Sequence, residues 1–165
     1  VEKFKLAPRA VALFAPGFGG YEKTFTFSYK VKAIFTALVT PDNVIDLPYG
    51  ASEITSNLSI REEISSDPQA SFSIPARLGL ELLKLTQYAI KNSRSFACPL
   101  FLATAGKDLI VDNKLNNQFF ETLDCPRKEK EHFDNSYHDL IFEPTIDQLV
   151  ERFNLFLADT GEVKV

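Results

Sequence analysis

Two side chains in this sequence have the types and spacing for acid–base chemistry: the carboxylate of Asp108 and the imidazole of His138, thirty positions apart. Asp108 follows an apolar run that Gly106 closes, and His138 lies in a turn that begins at residues 134–136. Catalytic groups gather at the carboxyl edge of parallel sheets, where successive strands end. We therefore predict that Asp108 hydrogen-bonds to His138, which would fix the imidazole tautomer and stabilise its charged form.

Each of these residues also has an ordinary explanation when it is considered alone. Asp108 could be a helix cap or a turn aspartate, and His138 could be an exposed loop histidine. The order strand, Asp, helix, strand, His, helix favours the functional interpretation of the pair. The other histidine, His132, lies in an alternating segment at residues 130–133 and is predicted to be a strand side chain without a catalytic role.

The elements that must position this pair can be placed from hydrophobic periodicity. Apolar or alternating runs predict buried parallel strands at residues 9–15, 99–105 and 129–133. A helix should follow Asp112, a favoured N-cap, and a last helix should begin near residues 143–144. The expected buried stripes are Leu115, Phe119 and Leu123 in the former, and Ile146, Leu149, Val150, Phe153 and Leu157 in the latter. Strands that alternate with helices indicate an α/β fold with a parallel sheet.

More than eighty residues separate the first two predicted strands, too many for a simple crossover. We therefore expect an insertion, a lid, at residues 21–95, between a core strand with its exit turn at 1–20 and core strands and helices at 96–165. Within it, helix is predicted from about Lys30, and residues 42–59 resemble a loop. A clear helical pattern at residues 75–91 places Leu78, Leu82, Leu85 and Ala89 on one side.

Composition excludes several classes of function. The 165 residues are 45% hydrophobic, enough for a sizeable core, and the net charge of −4 without a basic run argues against nucleic acid as a partner. No apolar stretch reaches the roughly 20 residues that span a bilayer. Cys98 and Cys125 lack metal-ligand spacing, so we expect buried thiols, no metal and no cofactor. Because the chain has no Met, we expect that Val1 is not the translational start.

The residues around the predicted pair also resemble a known family. Residues 98–111 resemble the strand and acid turn of α/β-hydrolases, and residues 135–143 resemble their histidine turn. Residues 10–16 are similar to the strand after the nucleophile helix, and residues 58–68 to the lid of monoacylglycerol lipases and bacterial lysophospholipases. The resemblance covers nearly the whole chain and implies the C-terminal half of an α/β-hydrolase with a helical lid insertion.

This resemblance implies a serine hydrolase that cleaves acyl esters, with Asp108 as the acid and His138 as the base. The family's G-x-S-x-G motif is missing, because residues 50–52 lack the closing glycine and lie in the lid. We therefore expect the serine in an upstream N-terminal half, encoded by the same gene or carried on a separate chain. Residues 15–20 are interpreted as a tight strand exit with glycines at positive φ, and an oxyanion loop is rejected.

The substrate is expected to be a lipid or a small acyl ester, because the lid is rich in apolar side chains. These side chains could pack onto the hydrolase core, or they could form an acyl tunnel or a surface that contacts lipid. They are Phe25, Phe27, Phe35, Leu38, Val39, Phe72, Leu80 and Leu83. We expect a cytoplasmic protein, peripheral to membrane if the lid contacts lipid. The alternative is a non-catalytic binding or regulatory module derived from the same fold.

Overall fold

A parallel sheet flanked by helices forms the centre of the protein in the computed structural model, which describes residues 8–159. In chain order the elements are β1 (Val11–Phe14), α1 (Phe27–Val39), β2 (Val44–Asp46), α2 (Ala51–Ile54), α3 (Leu58–Ser66), β3 (Ser73–Pro75), α4 (Ala76–Lys91), β4 (Leu100–Ala105), α5 (Asn113–Thr122), β5 (Lys128–Phe133) and α6 (Ile146–Asp159). The order in the sheet is β1-β4-β5, and both pairings are parallel. The predicted α/β sheet is confirmed.

Strand β4 is buried along its whole length because helices cover both of its faces. Phe101 and alternate residues of the strand pack with Leu149 and Phe156 of α6. On the opposite face, Leu100 and Leu102 pack with Phe119 and other side chains of α5. A strand enclosed in this way needs apolar residues at consecutive positions, which is the pattern of its sequence.

Of the two helices beside the sheet, α5 begins as predicted and α6 differs in detail. Asp112 caps α5 as predicted, and its carboxylate accepts a hydrogen bond from the amide of Lys114 at 2.9 Å. Helix α6 begins at Ile146, after a 3₁₀ turn at residues 140–142, so the predicted start near residues 143–144 was slightly early. Phe156 is fully buried, whereas Val150 of the predicted stripe is 47% exposed. Helical spacing alone did not show which of the apolar side chains of α6 face the sheet.

The segment between β1 and β4 contains more regular structure than predicted. Helix α1 begins at Phe27, three residues before the predicted start at Lys30, and α4 matches the predicted helix closely. The prediction of a loop at residues 42–59 was wrong, because β2, α2 and the first residues of α3 lie there. Strand β2 pairs antiparallel with β3. Elements of three or four residues are too short to show a hydrophobic period.

The turn after β1 uses its glycines for close packing. Positive φ was predicted at a glycine, but Ala15 is the residue there with left-handed φ, at 42°. A Cβ at Gly20 would lie 2.5 Å from a ring carbon of Phe25, and one at Gly19 would overlap the side chain of Leu115. The glycines therefore let this turn approach its neighbours closely.

Cys98 and Cys125 are unpaired and only partly buried, so the expectation of buried thiols was too strong. Burial raises the pKa of the Cys98 thiol above its ordinary value, and the nearby Cys125 adds to this shift.

No helix within residues 8–159 has the length and apolar character to cross a membrane.

Candidate active site

Asp108 lies just beyond the carboxyl end of β4, in the acid turn (residues 106–112), and its side chain is fully buried. One carboxylate oxygen, Oδ1, accepts hydrogen bonds from the amides of Ile110 and Val111 at 2.9 and 2.8 Å. These backbone dipoles replace the water that a buried carboxylate loses. They also fix the direction of the other oxygen, Oδ2.

His138 meets that second oxygen, with Nδ1 lying 2.9 Å from Oδ2 of Asp108. The predicted contact between the two side chains is confirmed. A carboxylate can only accept a hydrogen bond, so Nδ1 carries the proton in the neutral ring and Nε2 is the free base. The histidine side chain is 26% exposed, so part of it can be reached from outside the described residues. Such an imidazole can take a proton from a hydroxyl.

The acid turn is held by residues that directly follow β1. Tyr21 donates its amide to the carbonyl of Ile110 at 2.9 Å, and Thr24 donates its hydroxyl to the carbonyl of Leu109 at 2.5 Å. The amide of Asp112 bonds to the carbonyl of Gly19 at 2.8 Å. The segment after β1 therefore holds the acid turn in place, a role that its sequence did not reveal.

The acid turn and the histidine turn (residues 135–143) approach each other through a glycine. The amide of Gly106 bonds to the carbonyl of Phe133 at 2.9 Å, and the amide of Lys107 bonds to the carbonyl of Ser136 at 2.9 Å. A Cβ at Gly106 would lie 2.6 Å from the Cα of Asp134 and would overlap its carbonyl oxygen. Only a residue without a side chain lets the two turns approach this closely. The sequence had marked Gly106 merely as the end of a strand.

Glu143 is a buried carboxylate beside the site that sequence analysis missed. Its oxygens accept hydrogen bonds from the Thr55 hydroxyl at 2.6 Å, the Ser56 amide at 2.6 Å, the Ser56 hydroxyl at 2.9 Å and the Tyr137 amide at 3.0 Å. Burial raises the pKa of Glu143, but these hydrogen bonds outweigh burial and leave the pKa below its ordinary value. Its neighbour Pro144 had suggested only the start of a helix. Thr55 lies 88 positions away, so no local signal announced the contact.

His132 lies within β5, as predicted, and its partners differ from those of His138. Its Nδ1 is 2.8 Å from the hydroxyl of Thr104, and its Nε2 is 3.4 Å from a carboxylate oxygen of Asp134. Within residues 8–159, no group of three or more histidine, cysteine, aspartate or glutamate side chains is placed to hold a metal ion. In the same part of the chain, no serine hydroxyl hydrogen-bonds to His138. Within these residues the site therefore brings together a carboxylate and an imidazole, without a serine hydroxyl bonded to the ring.

Comparison with protein families gives one match that covers most of the chain. Residues 4–145 match the model of the family described as serine aminopeptidase, S33. Among curated protein sequences, none matches the chain.

Several solved structures share the fold. A monoacylglycerol lipase from Paleococcus ferrophilus superposes with a TM-score of 0.83 at 19% identity, over 93% of this chain and 60% of that one. A soluble variant of monoglyceride lipase from Saccharomyces cerevisiae, in complex with a substrate analog, gives 0.81 at 17% identity, over 93% and 53%. A metagenome-derived lipolytic enzyme gives 0.67 at 14% identity, over 92% and 55%. At these identities the similarity establishes the fold alone, and the chain spans only 53–60% of the first two lipases.

Proposed function

Because the chain belongs to the serine aminopeptidase S33 family of hydrolases, we propose that it is part of a serine hydrolase that cleaves acyl esters. In this proposal Asp108 is the acid and His138 is the base. The observation that supports it most strongly is the 2.9 Å contact between Nδ1 of His138 and Oδ2 of Asp108. The carboxylate is buried and oriented by two amides, while the imidazole remains partly exposed, as a working pair requires.

The proposed reaction begins at a serine in a segment upstream of this chain. As its oxygen attacks the ester carbonyl carbon, its proton moves to Nε2 of His138, and backbone amides of that segment stabilise the oxyanion. The intermediate collapses, the ester C–O bond breaks, and Nε2 returns the proton to the departing alcohol. Water then hydrolyses the acyl-enzyme by the same route. Asp108 stays ionised and stabilises the imidazolium that forms twice in each cycle.

Lipid esters such as monoacylglycerols or lysophospholipids are the substrates that we propose. We assign residues 21–95 as a lid, and its helices expose large apolar side chains, with Phe27 82% and Leu38 70% exposed. Such side chains suit an acyl chain or a lipid surface. The names of the structural relatives from Paleococcus ferrophilus and Saccharomyces cerevisiae point the same way, whereas the family description names a peptidase. Ester and amide cleavage must therefore be compared directly.

We further propose that the N-terminal half of the hydrolase lies against β1. Within residues 8–159, β1 pairs with β4 on one side and with no strand on the other. An open strand edge is a template for another strand. An upstream segment that pairs there would bring its serine to the same edge of the sheet as Asp108 and His138.

The test compares this chain with a longer protein that supplies the upstream segment. The 165-residue chain alone should not hydrolyse short-chain nitrophenyl esters above background, because its acid and base lack a nucleophile. The longer protein should hydrolyse these esters and monoacylglycerols, and should cleave aminoacyl nitroanilides far more slowly.

Other outcomes would lead to different conclusions. Preferential cleavage of the nitroanilides would replace the esterase by an aminopeptidase. If the longer protein cleaves neither class, the alternative of a non-catalytic binding or regulatory module gains support.

A further inference from the structure

The carboxylate of Glu143 joins two parts of the molecule that are far apart in sequence. On one side lies the α2–α3 junction (residues 54–57), which contributes three of the four donors through Thr55 and Ser56. On the other side lies the histidine turn, where the amide of Tyr137 is the fourth donor. Tyr137 directly precedes His138, so the carboxylate holds the backbone next to the proposed base.

A second contact between the same two parts lies on the other side of the histidine. The amide of Asp139 donates to the carbonyl of Ile54 at 2.8 Å. The backbone of the histidine turn is thus held to the junction immediately before and immediately after His138. Fixing the backbone on both sides limits the movement of the imidazole relative to Asp108.

An arginine also contacts both the junction and the histidine turn. Arg61, in α3, donates from Nε to the carbonyl of Thr55 at 2.6 Å, and its guanidinium lies over the ring of Tyr137 at 5.4 Å from the centroid. Glu143 and Thr55 are almost completely buried, at 2% and 0% exposure. Loss of one partner would leave buried donors without an acceptor, which is costlier than loss of an exposed contact.

A carboxylate is needed at this position because all four partners donate. The amide of a glutamine presents one oxygen and one NH₂ group. Either orientation of that amide would set the NH₂ group against a backbone N–H, of Tyr137 or of Ser56. The substitution Glu143→Gln therefore preserves size while it breaks one side of the connection.

We propose that Glu143 is a positioning residue whose buried carboxylate couples the α2–α3 junction to the histidine turn, so that loosening either side loosens the other. The junction lies in the segment assigned above as a lid, so the placement of that segment and of His138 would be set together. The structural coupling is independent of the proposed function, whereas its effect on turnover rests on that function.

Amide hydrogen exchange of the full-length protein tests the coupling when the substitution is made in the α2–α3 junction and exchange is measured in the histidine turn. Thr55→Val removes one hydroxyl donor and touches no residue of the histidine turn except Glu143 and the Phe142 carbonyl. Exchange at Tyr137 and Asp139 should accelerate by about tenfold, while β4 remains unchanged. Thr55→Ser, which keeps the hydroxyl, should restore the native rates. Glu143→Gln should accelerate exchange in both parts.

Glu53→Gln provides the matched control. Glu53 also accepts a backbone and a hydroxyl hydrogen bond, from Gly50 at 2.8 Å and Ser52 at 2.7 Å, but both partners lie in or next to α2. Its substitution should alter exchange only around residues 50–53. If Thr55→Val accelerates exchange at the junction and leaves Tyr137 and Asp139 unchanged, the coupling is refuted. Acceleration of equal size throughout the chain would also refute it, since that pattern reports lower global stability.

Steady-state kinetics test the consequence for positioning. In the full-length enzyme, Glu143→Gln should lower kcat about tenfold and leave KM within about twofold, because the imidazole is displaced while substrate binding persists. A raised KM at unchanged kcat would overturn the positioning role. If the wild-type protein hydrolyses no substrate, the proposed function fails, and the exchange experiment still decides whether the coupling exists.

Discussion

Strand β4 and helix α4 are both rich in apolar residues, yet their surroundings differ sharply. Every residue of β4 is buried, between α5 and α6. In α4, by contrast, Leu82 and Leu85 are 50% and 62% exposed. Periodicity identified both elements correctly, but it could not say what covers each apolar face. Asp108 lies in the turn that follows the buried strand, whereas large side chains of α4 are open to solvent in the part of the chain that the structure describes.

We predict that catalysis depends on the acid and histidine turns, which follow the central strands β4 and β5. In the full-length enzyme, His138→Ala should lower kcat by several orders of magnitude. Asp108→Asn should lower kcat by up to about four orders of magnitude, because the imidazole would take the wrong tautomer. His132→Ala should change kcat little, because His132 contacts Thr104 and Asp134 instead. Kinetics with a monoacylglycerol measure all three. Tolerance of His138→Ala with loss of activity in His132→Ala would reverse the assignment of the base.

The difference in burial around β4 and along α4 predicts a large difference in stability between two apolar truncations. Phe156→Ala should lower the free energy of unfolding by about 3–5 kcal/mol, since the ring is fully buried against β4. Leu85→Ala should change it by less than about 0.5 kcal/mol, because that side chain is largely exposed. Urea unfolding of the full-length protein measures both. A similar loss from Leu85→Ala would show that another part of the protein covers the face of α4.

A smaller effect is expected where the acid and histidine turns meet. Gly106→Ala should destabilise the protein by about 1–3 kcal/mol, because the new methyl group would overlap the backbone of Asp134. Gly17→Ala is the matched control, since a Cβ there meets no atom within 4 Å. Thermal unfolding compares the two. Equal melting temperatures for both variants would mean that the turns separate easily, contrary to the contact described here.

The smallest expected effect concerns pH. Hydrogen bonds keep the pKa of Glu143 in the folded protein below its ordinary value of 4.5. The carboxylate therefore stabilises the fold above that ordinary value, and this contribution is lost as the pH falls through the lowered pKa. Unfolding of the wild type and of Glu143→Gln at a series of pH values should show the difference in stability shrink below about pH 4.5. A difference that stays constant with pH would contradict the ionised state of Glu143.

The sequence predicted the central sheet and the contact between Asp108 and His138 because both depend on strong patterns. Apolar strands, the cap at Asp112 and the order of the elements bring the two side chains to one edge of the sheet. The contribution of Glu143 could not be predicted, since Thr55 and Ser56, which supply three of its four donors, lie almost ninety residues away and meet it only in the folded chain. Similarly, β2 and α2 are short elements held by tertiary contacts, without a periodic signal of their own.

The most direct test of the account is labelling of the full-length protein with a fluorophosphonate, followed by mass spectrometry of the labelled peptide. We predict one labelled serine that lies outside these 165 residues, and labelling that His138→Ala abolishes, because Nε2 of His138 must accept the serine proton. A labelled serine within these 165 residues, or labelling that survives in His138→Ala, would contradict the account.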